Sequence, residues 1–266
     1  MSAALTFRWN DGALRQREDC DVLPASIEAA DSWLVSDGAA RALDLHRSRF
    51  FEALGRTSHR IADLDAFWDA AIAAIPRSGD WFPRVEVRLQ SGRPEALVRI
   101  RPAPALARSI VLATHTGRDP RTAPRTKGPD LEAMVRLRTS VQQLGAGDAV
   151  VLTPEGWIAD GSTTCLAWWR GDALAIPHGE IARIDSVTLR SLQAVATAMG
   201  IDILHENARP EDVEGCEVWA LNALHGIRIV TRWHDGPAVA EEPGRVESWR
   251  RRLDVLRKPL PTGGGA

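Results

Sequence analysis

The sequence predicts an α+β fold in two parts, and three observations carry that prediction. Turn pairs containing glycine (Asp11-Gly12, Asp37-Gly38, Glu155-Gly156, Gly171-Asp172) sit between short apolar runs, as antiparallel hairpins require. Helical periodicity is confined to separate blocks and does not alternate regularly with strands. The segment RPAPALAR, residues 101–108, places Pro102 and Pro104 between strand-like runs. It divides the chain into a small N-terminal α+β domain over 1–101 and a larger C-terminal domain over 109–258. Residues 102–108 are the linker, and 259–266, KPLPTGGGA less its first residue, form a disordered tail.

In chain order, LTFRWNDGALRQRE predicts a hairpin around Asn10-Asp11-Gly12, and DSWLVSDGAARAL a second one at Asp37-Gly38. LHRSRFFEALG predicts a helix with Leu45, Phe50, Phe51 and Leu54 at helical spacing and Gly55 as its stop. IADLDAFWDAAIAAIP predicts another, with Asp63 as its cap. VEVRL, EALVRIR and SIVLATHT predict strands, and LEAMVRLRTSVQQLG a helix stopped by Gly145. DAVVLTPEGWIAD and TTCLAWWRGDALAIP predict two hairpins. In the second, Cys165 is a buried strand residue, and alternation puts one of Trp168 and Trp169 in the core and the other at the surface. SVTLRSLQAVATAMG predicts a helix ending at Gly200, IDILHENA a strand, and VEGCEVWALNALHGIRIVTRW two more strands around the segment NALHG.

Composition narrows the function. The formal net charge of −2 offers no electrostatic case for a nucleic-acid partner. No apolar run approaches the roughly 20 residues of a membrane span, and the start, MSAALTFRWNDG, lacks the apolar core of a signal peptide. Cys20, Cys165 and Cys216 are odd in number and widely spaced, which predicts a reducing cytoplasm, no disulfide framework and no metal motif.

One residue stands out. Of the 33 basic residues only Lys127 and Lys258 are lysines. Lys127 lies in a Pro- and Arg-rich loop, RTAPRTKGPD, just before a helix. An arginine-biased coding sequence accounts for it as a stray surface lysine. Chemistry accounts for it differently: lysine can lose its proton and attack a carbonyl, whereas arginine stays charged at any working pH.

The order of segments resembles the class IV aminotransferases, the fold-type IV pyridoxal-phosphate enzymes. That family includes branched-chain and D-amino-acid aminotransferases and 4-amino-4-deoxychorismate lyase. The resemblance rests on His46-x-x-Arg49, on Lys127 before a helix, and on the turn Glu155-Gly156-Trp157 followed by Asp160 and small residues. It continues through Ser186-Val187-Thr188 at a helix start and Asn222-Ala223-Leu224 before a strand, and the interval of 33 positions from Lys127 to Asp160 is about the family's own. The resemblance implies a two-domain fold of this type, pyridoxal 5′-phosphate as cofactor, a small anionic amino-acid-like substrate, a homodimer and a cytoplasmic location. Lys127 is then the catalytic Schiff-base lysine, with Arg118, Arg121 and Arg125 close by in sequence to depress its pKa. Asp160 is the carboxylate facing the pyridine nitrogen. Arg49, Ser186, Val187, Thr188, Asn222 and Ala223 complete the cofactor set, the helix start at 186–188 offering N–H groups to a phosphate. Arg49 is expected to act on cofactor affinity with little effect on stability. Substrate candidates are Asp31, Ser32, His115, Arg118 and His225; His46 packs or caps.

Several letters depart from the family pattern. Asp160 stands for the usual Glu, Cys165 and Ala167 for an Asn and an aromatic, and Ser186 for Gly. Ala223 stands for a phosphate-binding Thr or Ser. The chain has no tyrosine at all, and Asp130 or Glu132 falls where aminotransferases carry one after the lysine. The Asn-Ala-Leu form resembles the lyase branch. The leading expectation is therefore a lyase-like activity giving p-aminobenzoate and pyruvate. An amino-acid transaminase, of D-amino-acid or branched-chain type, is the first alternative, and a cofactor-free binding protein on the same fold the second.

Overall fold

The computed structural model describes residues 4–17 and 25–262; Cys20 and the tail residues 263–266 lie outside the described residues. The chain divides into two compact units. The first comprises residues up to Ala105 together with Thr126–Pro129 and the segment from Leu256 onward; the second comprises Leu106–Arg125 and Asp130–Val255.

The first unit opens with the expected hairpin of β1 (Leu5–Asn10) and β2 (Ala13–Gln16). Asp11 and Gly12 both take positive φ, 49° and 73°, the conformation whose twist matches the flanking strands. Then follow β3 (Ala25–Ser32), β4 (Val35–Ser36), β5 (Ala39–Arg41), α1 (Leu43–Gly55), α2 (Leu64–Ala73), β6 (Asp80–Trp81), β7 (Arg84–Gln90) and β8 (Arg93–Ile100). An antiparallel sheet runs in the order β2-β1-β8-β7-β3, and β4 pairs with both β5 and β6 in a smaller sheet. The alternating sequence Val85-Glu86-Val87-Arg88 splits between the two faces of β7. Val85 and Val87 join Phe50, Phe67 and Trp68 of α1 and α2 in one core. Glu86 and Arg88 are buried on the other face, where Arg84 and Arg99 meet Glu86 at 2.5 and 3.2 Å and Glu95 meets Arg88 at 3.2 Å. Asp63 sits at the cap position of α2, but its backbone is left-handed (φ 52°) and its side chain makes no capping bond, contrary to the sequence expectation.

The second unit contains β9 (Ser109–Thr114), α3 (Leu131–Gln142), β10 (Asp148–Leu152), β11 (Ile158–Gly161), β12 (Cys165–Arg170), β13 (Ala173–Pro177), α4 (Val187–Ala198), β14 (Ile203–Glu206), β15 (Val218–Asn222), β16 (Gly226–His234) and α5 (Arg245–Val255). Its eight strands run in the order β11-β10-β9-β16-β15-β12-β13-β14. Apolar side chains cover both faces of this sheet. Trp168 packs with Leu112, Val150 and Val230, whereas Trp169 packs with Trp219 and Trp249, at ring-centroid distances of 5.3 and 5.4 Å. Both tryptophans of the pair are therefore buried, and the expected surface position does not exist. Alternation still operates, but in a central strand each direction leads to a core.

The last strand, β17 (Arg257–Pro259), returns to the first unit and pairs with β5, and Leu260 is buried there. Residues 259–262 are thus ordered, and only 263–266 of the expected disordered tail fall outside the described residues. No helix among the described residues is long and apolar enough to cross a membrane.

Candidate active site

Lys127 belongs by its packing to the first unit, although the sequence boundary assigned it to the C-terminal part. Two contacts explain why. The Ala30 N–H donates to the Lys127 carbonyl at 2.8 Å. Gly128 lies so close to β3 that a Cβ there would come within 2.7 Å of the Ala29 Cα, and its φ of +148° suits glycine alone. The segment 126–129 is laid directly against the backbone of β3, and Gly128→Ala would lift it away.

In the same unit β3 and α1 bring three polar side chains together. Arg49 donates from Nε and a terminal nitrogen to the two carboxylate oxygens of Asp31, both at 2.8 Å. His46 Nδ1 lies 2.8 Å from Asp31 Oδ1, and the Ser32 N–H donates to the same oxygen at 2.7 Å. Asp31 is 0% exposed. Burial alone would raise its pKa; the charges of Arg49 and then His46 overcome this and hold the carboxyl well below the usual range. His46 is pushed down, by burial first, with Arg49 and Lys127 adding repulsion against the attraction of Asp31. An ionised carboxylate only accepts, so His46 carries a hydrogen on Nδ1 and donates it to Asp31. Lys127, His46, Asp31 and Arg49 therefore share one electrostatic neighbourhood. Asp31 was expected at the substrate. It has no surface to offer one and instead fixes the direction of Arg49. Ser32 is buried at the end of the same strand. Arg49 is not an independent surface arginine, and its pairing with Asp31 argues against the expectation that its loss has little effect on stability.

The second unit positions the remaining candidates. Asp160 is the penultimate residue of β11, 4% exposed. Its Oδ2 lies 3.5 Å from an Arg121 terminal nitrogen and 3.4 Å from the Ile184 N–H, both long contacts. Arg121 is mainly engaged by Asp119, at 2.8–3.0 Å. Burial consequently dominates, and Asp160 is pushed up to about 7 against the opposing pull of Arg121, Arg183 and the Ile184 N–H. The neighbouring Cys165 thiol is pushed up to about 12 by burial and then by Asp160, so it is an inert packing group.

Ser186 caps α4, its Oγ accepting from the Leu189 N–H at 3.2 Å; Val187 and Thr188 are buried in the first turn. The Asn222 amide bridges the turn after β15: Oδ1 accepts from the His225 N–H at 2.8 Å and Nδ2 donates to the Thr163 carbonyl at 3.4 Å, with Ala223 half-buried beside it. His115 Nε2 contacts the Arg118 carbonyl at 3.1 Å, and Arg118 is exposed. His225 Nδ1 accepts from the Ala107 N–H at 3.1 Å.

Sequence reasoning missed the organising roles of two carboxylates here. Asp130 accepts from the Thr122 N–H and hydroxyl at 2.8 Å and from the Ala123 N–H at 2.9 Å, closing the loop that precedes α3. Asp148 is 0% exposed and takes hydroxyl donors from Ser162, Thr163 and Thr164, which shapes the turn after Asp160. The only local signal was three consecutive hydroxyl residues; their shared acceptor lies 14–16 positions upstream.

The family model for amino-transferase class IV matches residues 28–233. No curated protein sequence matches the chain. Among solved structures, the chain is similar to a PLP-bound hypothetical aminotransferase from Mycobacterium tuberculosis, with 18% identity, TM-score 0.80, and 96% of this chain and 98% of that one covered. It is also similar to the branched-chain aminotransferase of the archaeon Thermoproteus uzoniensis, with 15% identity, TM-score 0.81, and 97% and 100% covered. The branched-chain aminotransferase from Escherichia coli matches at 13% identity, TM-score 0.81, with 98% and 97% covered. At these identities the structures speak to the fold, a fold-type IV fold, and the family match speaks to descent. With more than three quarters of its length inside that match, the chain belongs to the class IV aminotransferases, which are pyridoxal-phosphate enzymes.

Proposed function

We propose that Lys127 is the cofactor-bearing amine of this enzyme and that its substrate is a small, anionic, amino-acid-like molecule. One observation carries the assignment: Lys127 is the only lysine within the matched residues 28–233. The residues present also fit pyridoxal phosphate. Asp160 is a buried carboxylate with only long contacts and a raised pKa, a group that gains from a cationic ring nitrogen. The Ser186-capped start of α4 supplies N–H groups of the kind phosphates bind, and Arg49 is oriented as a rigid fork by Asp31. When bound, the cofactor supplies an aldehyde for an amine and an electron sink for charge developing at the substrate Cα. Lys127 Nζ holds and returns the proton at that carbon, and Asp160 holds the charge on the ring nitrogen. Arg49, Val187, Thr188, Asn222 and Ala223 anchor the phosphate. We place the enzyme in the cytoplasm as a homodimer, on the strength of the family resemblance.

Asp160→Asn should keep the fold and much of the bound cofactor while lowering turnover about one to two decades, the worth of a charged hydrogen bond of roughly 1.5–3 kcal/mol. Unchanged turnover would reduce Asp160 to a turn residue. A pH signature accompanies it. The folded pKa of Asp160 lies above its unfolded value, so the native state binds this proton more tightly. Its contribution to stability is present at acid pH and is lost as pH rises through about 7. The cofactor-free protein should therefore lose Tm between about pH 4 and 7, and Asp160→Asn should flatten that slope.

For the reaction we favour the lyase branch, with aminodeoxychorismate giving p-aminobenzoate and pyruvate. The Asn222-Ala223-Leu224 form and the complete lack of tyrosine support it. The second reading, a transaminase, is favoured by the solved structures, one of which is described as an alpha-ketoglutarate- and PMP-bound form. A lyase regenerates its cofactor without an acceptor, whereas a transaminase needs a keto acid. Pyruvate should accumulate from aminodeoxychorismate with no keto acid added, and D-alanine, L-glutamate or branched-chain amino acids should leave the cofactor's absorbance largely unchanged. Rapid conversion to the pyridoxamine form by one of these, reversed by its keto acid, would establish the transaminase. Protein that stays colourless when mixed with the cofactor would leave only a binding protein on this fold.

A further inference from the structure

We propose that the second unit carries an oxyanion-binding site built on Arg228, with Arg138 and Arg250 beside it, that takes a phosphoryl or carboxylate group. The inference starts from the burial of Arg228. Its strand neighbours Ile227 and Ile229 enter the core with α4 and α5, so alternation along β16 sends Arg228 to the opposite face. There it is 6% exposed, and its Nε is fully buried with no acceptor. Among the described residues no carboxylate forms an ion pair with it. The carboxylate whose charge reaches it is Asp148. Asp148 is already occupied by the Ser162, Thr163 and Thr164 hydroxyls and by the Ala149 and Thr163 N–H groups.

The neighbours of Arg228 make its isolation more costly. Arg250 reaches in from α5 and donates to the carbonyls of His225 and Ile227, the latter the residue directly before Arg228. Arg138, on α3, donates from Nε to the Gly147 carbonyl at 3.1 Å, keeps its terminal nitrogens for other partners, and is exposed. The three guanidiniums repel one another: Arg228 is pushed down to about 10, by burial first and then by Arg138 and Arg250. His225 is pushed down to about 4, again by burial first and then by Arg228, Arg138 and Arg250. Its Nδ1 accepts from Ala107, so the neutral ring carries its hydrogen on Nε2, a further donor. A fold does not gather two further arginines and a neutral histidine donor around one buried guanidinium whose Nε lacks an acceptor for stability alone. An oxyanion would supply the missing acceptors and the missing negative charge, and the planar fork of Arg228 suits two oxygens of one group.

This site does not depend on the substrate proposed above. It must be separated from the cofactor's own phosphate, because Asn222 and Ala223 precede His225 in the same turn. The test therefore uses protein saturated with pyridoxal phosphate, titrated with inorganic phosphate, with malonate, or with sodium chloride at matched ionic strength. One of the two oxyanions should raise Tm saturably, by roughly 5–10 °C at about a hundredfold excess over Kd, and chloride should not. Phosphate acting alone identifies a phosphoryl site, and malonate acting alone a carboxylate site. Arg228→Met should abolish the rise, Arg138→Gln should weaken the anion at least about fivefold, and Arg136→Gln on the same helix should change nothing. Should Arg228→Met fail to fold, the exposed Arg138→Gln decides. The proposal is overturned by an equal rise in chloride, by a rise unchanged in these variants, or by one that occurs only before the cofactor is added.

Discussion

Lys127→Arg is expected to abolish turnover while leaving the protein folded. Arginine keeps the charge and nearly the bulk but cannot present a neutral amine, so it separates chemistry from packing. Two contacts that seat the segment are made by its backbone: the Lys127 carbonyl receives the Ala30 N–H, and Gly128 meets Ala29. Tm should therefore move little. Activity should fall by more than about 10³-fold, since the loss of a positioned proton shuttle is by itself worth about 10²–10⁴ and the amine is lost as well. Borohydride treatment of the cofactor-loaded wild type, followed by peptide mass spectrometry, should place the adduct on the peptide containing Lys127. The chain's other lysine, Lys258, is an internal control. An adduct on Lys258, or a fully active Lys127→Arg variant, would refute the assignment.

What could be read ahead of the structure was local. Asp11-Gly12 and Asp37-Gly38 impose positive φ at both turn positions, so these hairpins are written in two letters each. The start of α4 is written in the Ser186 hydroxyl, which bonds three residues ahead. Lys127 was legible because the chemistry proposed for it excludes the arginine used almost everywhere else. What escaped was non-local. Asp31 and Arg49 are 18 positions apart and nothing in either segment announces the pair. The helix α5 was overlooked because its arginines are as numerous as its apolar residues, although Val246, Trp249 and Leu253 fall on one buried stripe. β17 has strand character only because β5 offers it an edge. The segment 126–129 sits within the second unit's stretch of sequence and packs with the first unit, a choice made by the close approach of Gly128 to Ala29.

The Asp31–Arg49 pair leads to the other large effect, this one on stability. Asp31→Ala removes the acceptor of these two Arg49 bonds and of the His46 bond, and takes the Asp31 charge away from a guanidinium only 14% exposed. Breaking a buried pair from one side costs about 3–5 kcal/mol, which lowers Tm by roughly 6–20 °C for a chain of this size. Arg49→Ala should cost a similar amount, because it strands a carboxylate that is 0% exposed. The double variant should cost less than the sum, the coupling expected of groups in direct contact. Acid provides a second measure. The folded pKa of Asp31 lies below its unfolded value, so its contribution is present above about pH 4 and is lost as pH falls further. Wild type should lose stability steeply below that point, and Asp31→Ala should lose less. Cofactor affinity distinguishes the two single variants from a purely structural pair. Arg49→Ala removes the proposed phosphate contact itself, whereas Asp31→Ala leaves the guanidinium in place but unaimed. Measured at a temperature where both are folded, Arg49→Ala should bind pyridoxal phosphate more weakly than Asp31→Ala, and both more weakly than wild type. Equal affinity in all three would confine the pair to holding α1 against β3.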